Sequence, residues 1–140
     1  LSLQVFPPHV ALVKDFAAAD PKVNIDADEM RQAVRNIVNN ALDVMPTQGR
    51  LEIKTETLEG GYARLSIRDS GPGIPPDVLD NIFNPFYTTK ARGTGLGLAV
   101  VSKVMARHDG KVEALSEVGK GTLFRLTIPL YKTQPAAARA

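Results

Sequence analysis

The chain has 140 residues, 44% of them hydrophobic and 23% charged, which suits one globular domain with a real core. It contains no cysteine, which excludes disulfides and thiolate metal sites, and only His9 and His108 as imidazoles, which argues against histidine-based catalysis within it. A net charge of +2 from scattered Lys and Arg leaves no electrostatic footprint for nucleic acid. No apolar run approaches a membrane span and no signal-peptide pattern is present, so the expectation is a cytoplasmic domain without membrane contact.

In chain order, residues 1–9 read as the end of a linker or an edge strand, halted by Pro7-Pro8. Val10 to Phe16 suits a strand, Asp20-Pro21 a turn, and Val23 to Ile25 a short second strand. Asp26 or Asp28 then caps the clearest helix. Its apolar stripe is Met30, Ala33, Val34, Ile37, Val38, Ala41, Leu42 and Met45, ended by Pro46 and Gly49. Residues 50–59 alternate with Leu51, Ile53, Thr55 and Thr57 on one face. Gly60-Gly61 signals a two-residue hairpin, and Tyr62 to Asp69 returns with Ala63, Leu65 and Ile67 inward.

Pro75-Pro76 opens a short helix through Ile82, and Leu96 to His108 a longer one capped by Asp109-Gly110. His108, in its last turn, suits the helix dipole as a cation. Lys111 to Glu117 and Thr122 to Leu130 form a hairpin around Gly119-Lys120-Gly121. The architecture is α+β, a two-layer sandwich with helices on one face of a mixed, mostly antiparallel sheet. The domain is expected over residues 10–131, with a flexible tail over 132–140.

Three features point to chemistry. Gln32, Asn36, Asn40 and Asp43 lie within about 80° of arc at 100° per residue, opposite the apolar stripe. Asparagine disfavours helices, and its carboxamide oxygen is a hard neutral ligand suited to Mg²⁺ held mainly by phosphates. Asp69 ends a half-buried strand before Ser70-Gly71-Pro72-Gly73-Ile74. Its carboxylate either serves the turn or accepts the exocyclic amine of adenine, against which guanine would set a carbonyl oxygen. Gly93-Thr94-Gly95-Leu96-Gly97 opens a helix whose free amides favour phosphate, with Lys90 and Arg92 just before it. That cluster has neither Rossmann nor P-loop spacing. Phe83-Asn84-Pro85-Phe86 could anchor the near edge of a hinged lid over a ligand, with the glycines at its far edge.

In this order and spacing, the features resemble the ATP-binding catalytic domain of bacterial sensor histidine kinases, in the gyrase–chaperone–kinase–MutL ATPase superfamily. The likeness runs from Asp26 to Pro129: NIVNNA at Asn36 to Ala41, DSGPG at Asp69 to Gly73, FNPF at Phe83 to Phe86, GTGLGL at Gly93 to Leu98 and GKGT at Gly119 to Thr122. Thr88 to Lys90 is similar to the lid of the nitrogen-regulation and oxygen-sensing branch. The resemblance implies a Bergerat-type sandwich with a mobile lid, and ATP and Mg²⁺ as cofactors. Asn40 would ligate the metal with Asn36 helping, and Asp69 would bind the adenine amine. Gly71, Gly73 and Ile74 would shape the base pocket and Thr122 would support it. Gly93, Thr94, Gly95, Leu96, Gly97 and Leu98 would form the lid hinge and phosphate cradle, with Lys90 reaching phosphate.

Two departures stand out. Asp43 occupies the position where some relatives carry a basic residue, so Lys90 or Arg92 would supply that contact. Neither His9 nor His108 has the context of the family's phosphoacceptor histidine. The implied activity is therefore γ-phosphoryl transfer to a histidine on a separate dimerisation domain, with a response regulator downstream. Only Asn36 and Lys90 stand as catalytic candidates in this chain. Alternatives are a hydrolytic ATPase clamp, an anti-sigma-type serine kinase, or a non-catalytic binding module. Asn36 counts against the clamp, whose relatives carry a glutamate four residues before the metal asparagine to activate water.

Overall fold

The computed structural model describes residues 7–17, 22–87 and 97–131. In chain order it contains β1 (Val10–Asp15), α1 (Ala27–Asp43), β2 (Gly49–Leu58), β3 (Tyr62–Asp69), α2 (Pro76–Leu79), α3 (Gly97–Arg107), β4 (Lys111–Glu117) and β5 (Gly121–Pro129). Five strands form one sheet in the order β1-β2-β3-β5-β4. Only β1 and β2 run parallel; the other three pairings are antiparallel.

Side-chain alternation sorts the sheet into two faces. On the inner face the register places Ile53, Ile67, Phe124 and Ala114 in one cross-strand row. Ile37 and Val38 of α1 and Val101, Val104 and Met105 of α3 close over these strands to complete a single core. Truncating Phe124, almost wholly buried, would cost about 3–5 kcal/mol. The outer face carries charged pairs instead, among them Arg50–Glu52 at 2.8 Å and Arg64–Glu56 at 3.3 Å. Pairs of this kind, exposed or half-buried, add little stability but keep the face polar.

The cap of α1 is Asp26, whose carboxylate accepts the Glu29 amide at 3.0 Å. The helix stops at Asp43, with Val44 as C-cap, because Met45 precedes a proline and is steered away from helical backbone. His9, just before β1, bonds through Nε2 to the Met45 carbonyl at 3.0 Å, fastening this loop to the incoming strand.

Several expectations need correction. Val23 to Ile25 is not a strand: a single bridge, Val23 to Leu130, fits before the cap at Asp26. The β2–β3 connection has three residues, Glu59-Gly60-Gly61, because Leu58 pairs with Tyr62; both glycines take positive φ, 89° and 88°. The short helix ends at Leu79 rather than Ile82, since the Asn81 side chain donates to the Asp77 carbonyl where a helical amide would bond.

His108 is not a dipole-stabilising cation. Its Nε2 accepts the Asp26 amide at 2.9 Å while Nδ1 faces the Val104 carbonyl at 2.7 Å. An amide only donates and a carbonyl only accepts, so the ring is the neutral Nδ1–H tautomer. With the Arg107–Glu29 ion pair beside it, His108 ties the end of α3 to the start of α1. The expected tail over residues 132–140, the segment 1–6 and the Asp20-Pro21 turn lie outside the described residues.

Candidate functional site

One cross-strand row next to the core departs from the apolar pattern. Leu51, Asp69, Thr122 and Ser116 lie side by side on the inner face of β2, β3, β5 and β4. Asp69 is 5% exposed, and its Oδ1 accepts the amides of Gly71 at 2.9 Å and Thr122 at 3.3 Å. Burial pushes its carboxyl pKa up, and the two backbone amides oppose that shift. A carboxylate fixed through one oxygen and set at the edge of a core can recognise a donor, an amine above all.

The glycines around Asp69 are there because the backbone comes close. Gly73 has φ 79°, and a Cβ on it would run into the Glu117 carbonyl. Gly121 has φ 97°, and a Cβ would strike the carbonyl of Asp69 itself. A side chain on Gly71 would meet Val44 and Asp69 Oδ1. Ile74 is half-buried against the core, and its amide donates to Ser116 Oγ at 2.7 Å.

Ser116, Gly121 and Val44 were not among the residues singled out as the site. Ser116 reads in sequence as one polar position in an alternating strand. Its partners become visible only when the hairpin is folded on paper around Gly119 and Lys120, which brings Ser116 opposite Thr122.

The second half of the site sits on helices. Asn36 and Asn40, both half-buried, lie one turn apart on α1. Asn36 Nδ2 donates to the carbonyl of Gly97, the first residue of α3, at 3.0 Å. With its nitrogen so engaged Asn36 still has Oδ1 as an acceptor, and the bond sets the start of α3 beside the asparagine face. Asn40 makes no side-chain hydrogen bond among the described residues. The first turn of α3 has no acidic residue, and its opening amides lack intrahelical partners, which suits an anion. Gln32 is exposed nearer the start of α1.

Leu98, in the first turn of α3, packs its side chain against the core. Phe83 and Phe86 part ways. Phe83 meets Phe124 edge to face at 6.3 Å between ring centroids, whereas Phe86 is 74% exposed at φ 66°. Lys90, Arg92, Gly93, Thr94, Gly95 and Leu96 lie outside the described residues. Among those described, no cluster of three His, Cys, Asp or Glu forms a metal site, and no helix is long and apolar enough to cross a membrane.

Comparison with known proteins agrees with this geometry. The chain is 36% identical to sporulation kinase E of Bacillus subtilis (strain 168) over 130 residues, 93% of this chain and 18% of that protein. It is 40% identical to the sensor histidine kinase ZraS of Escherichia coli (strain K12) over 121 residues, 85% of this chain and 26% of that protein. The chain thus spans between 18% and 26% of these relatives' length. Among solved structures it is similar to the mycobacterial sensor histidine kinase MprB, with TM-score 0.79 and 28% identity over 89% of this chain and 85% of that one. It is also similar to histidine kinase ThkA in complex with the response regulator TrrA, with TM-score 0.73 and 27% identity over 87% of this chain and 34% of that one. The profile of the histidine kinase-, DNA gyrase B- and HSP90-like ATPases matches residues 25–132, and the chain belongs to that family.

Proposed function

We propose that this chain is the ATP-binding catalytic domain of a two-component sensor histidine kinase, covering residues 10–131 and transferring the γ-phosphoryl group of Mg-ATP to a histidine on a separate dimerisation domain. The observation that carries the reading is Asp69, buried at the sheet end with Oδ1 held by two backbone amides. A carboxylate so held accepts the exocyclic amine of adenine and repels a carbonyl oxygen in its place. Gly71, Gly73, Ile74 and Thr122 form the surrounding pocket wall. The triphosphate runs from there toward α1 and the first turn of α3, where Gly97 offers a free helix start.

The donor set suits Mg²⁺. Asn36 keeps its oxygen free by donating through nitrogen to Gly97, and Asn40 stands one turn away. Two neutral carboxamide oxygens would complete the shell of an ion held mainly by phosphates. Bound there, Mg²⁺ would neutralise phosphate charge and so favour departure of ADP. Within the lid box, Lys90, Gly93, Thr94, Gly95 and Leu96 are assigned to the phosphates by their place in the family motif.

Transfer breaks the bond between the γ-phosphorus and the ADP oxygen and forms one to an imidazole nitrogen, whose proton leaves to a base on the acceptor domain. This chain's share is positioning and charge neutralisation. Asn36 also speaks against a water-activating clamp, since a carboxamide takes up no proton near neutral pH and this one is engaged with α3. The partners are the kinase's own dimerisation domain and a response regulator, on the cytoplasmic side where ATP is supplied.

The test is calorimetric titration with a non-hydrolysable ATP analogue, with and without Mg²⁺, on wild type and Asp69→Asn. It is followed by addition of the dimerisation domain and a search for acid-labile, base-stable phosphate. Binding lost on Asp69→Asn, together with phosphohistidine in the reconstituted pair, is the expected result. Binding without any phosphohistidine would leave a nucleotide-binding module and overturn the kinase reading.

A further inference from the structure

We infer that Ser116 is the positioning residue that sets purine selectivity, by fixing which way the Thr122 hydroxyl points its proton. The inference rests on the reading of Asp69 as the purine-binding carboxylate. Ser116 Oγ has three partners: the Ile74 amide at 2.7 Å, the Gly121 carbonyl at 2.9 Å and Thr122 Oγ1 at 2.8 Å. The amide can only donate and the carbonyl can only accept, so the single serine proton goes to Gly121. The contact to Thr122 is then satisfied only when the threonine hydroxyl donates to Ser116. Any other assignment leaves one of the three contacts without a proton.

Thr122 is therefore left with lone pairs alone for other partners. It stands directly across from Asp69 on the same face of the sheet, and both side chains are buried. Asp69 already takes two amides on Oδ1, and as a carboxylate it too has only lone pairs to offer. This corner of the pocket is thus a wall of acceptors. An amine at the six-position of the base matches it; a carbonyl in that place meets lone pair against lone pair.

Without Ser116 Oγ, the threonine hydroxyl is free to rotate and donate to a carbonyl. Selectivity relaxes although neither Asp69 nor Thr122 has changed. Ser116 also joins β4 to the Ile74 amide and the Gly121 carbonyl, so a purely structural role would weaken every nucleotide alike. The difference between those outcomes is measurable.

ADP and IDP carry an amine and a carbonyl, respectively, at the six-position, and calorimetry with both reads the preference directly. Wild type is expected to favour ADP. Ser116→Ala is expected to narrow the ADP-over-IDP affinity ratio about tenfold. Ser116→Thr, which keeps an oxygen, is expected to hold the ratio near wild type. Should the alanine variant fail to fold, Ser116→Cys fills the same volume, excludes a replacing water and offers only a weak acceptor, so it should narrow the ratio as well.

Equal weakening of both nucleotides, or no change in the ratio in a folded variant, overturns the inference while the adenine reading stands. If wild type binds neither nucleotide, the adenine reading falls and takes this inference with it.

Discussion

The two ends of the site are built by different means. The Asp69 end grows out of the sheet: its row sits beside the row of Ile53, Ile67 and Phe124, and Asp69, Thr122, Ser116 and Ile74 are joined by bonds that strand register imposes. At the asparagine end two packed helices meet, and Asn36 donates across them to the Gly97 carbonyl. On the proposed reading, the first discriminates because strand register fixes Asp69, Thr122 and Ser116 side by side. The second, on the same reading, offers neutral carboxamide oxygens to a metal held mainly by a flexible phosphate chain.

The largest effect should come from forcing a side chain into the sheet end. Gly121→Ala places a Cβ against the Asp69 carbonyl at a φ of 97°, so thermal unfolding should reveal a loss of about 3 kcal/mol, and nucleotide binding should fall with it.

Asp69→Asn should separate binding from folding. Its oxygen still accepts the two amides and the buried charge is gone, so the melting temperature stays at or above wild type. ADP affinity drops by about thirty- to a hundredfold because an NH₂ group now faces the amine. A melting temperature far below wild type would show that the carboxylate holds the fold rather than the base.

Acid should act on Asp69 in the same divided way. Burial raises its folded pKa above the unfolded value, so between the two the native state binds the proton more readily. Lowering the pH through that window adds stability from this group while it removes the acceptor. ADP affinity should therefore fall by up to about tenfold per pH unit below the raised value, and Asp69→Asn should abolish the dependence.

At the helix end, Asn40→Ala should weaken binding by roughly five- to tenfold in Mg²⁺ and scarcely without it, leaving the ADP-over-IDP ratio intact. A shift in that ratio would break the division between the ends. The smallest effect belongs to Gly119→Ala. Gly119 has φ 86° but open space around it, so only the backbone penalty of about 1 kcal/mol remains, with binding unchanged.

The elements were legible because periodicity and punctuation agree: α1 shows its stripe and cap, and β2 and β3 their alternation. Asp69 and Thr122 stood out through their glycine-marked boxes, and strand register sets them side by side. Ser116 did not stand out, since its amide partner lies 42 residues away and a serine facing inward looks like one facing out. His108 was misread for the same reason. Its position in the helix suggested a cation, but its decisive partner is Asp26, 82 residues earlier, and that contact requires a neutral ring. Local pattern reports which face a residue occupies; it is silent on which proton crosses between faces.

The clasp between His9 and the Met45 carbonyl extends beyond its own loop. Met45 follows Val44, whose methyl group lies against Gly71, and Gly71 in turn holds Asp69 Oδ1. The backbone leading into the first strand is thereby linked, in four steps, to Asp69 Oδ1.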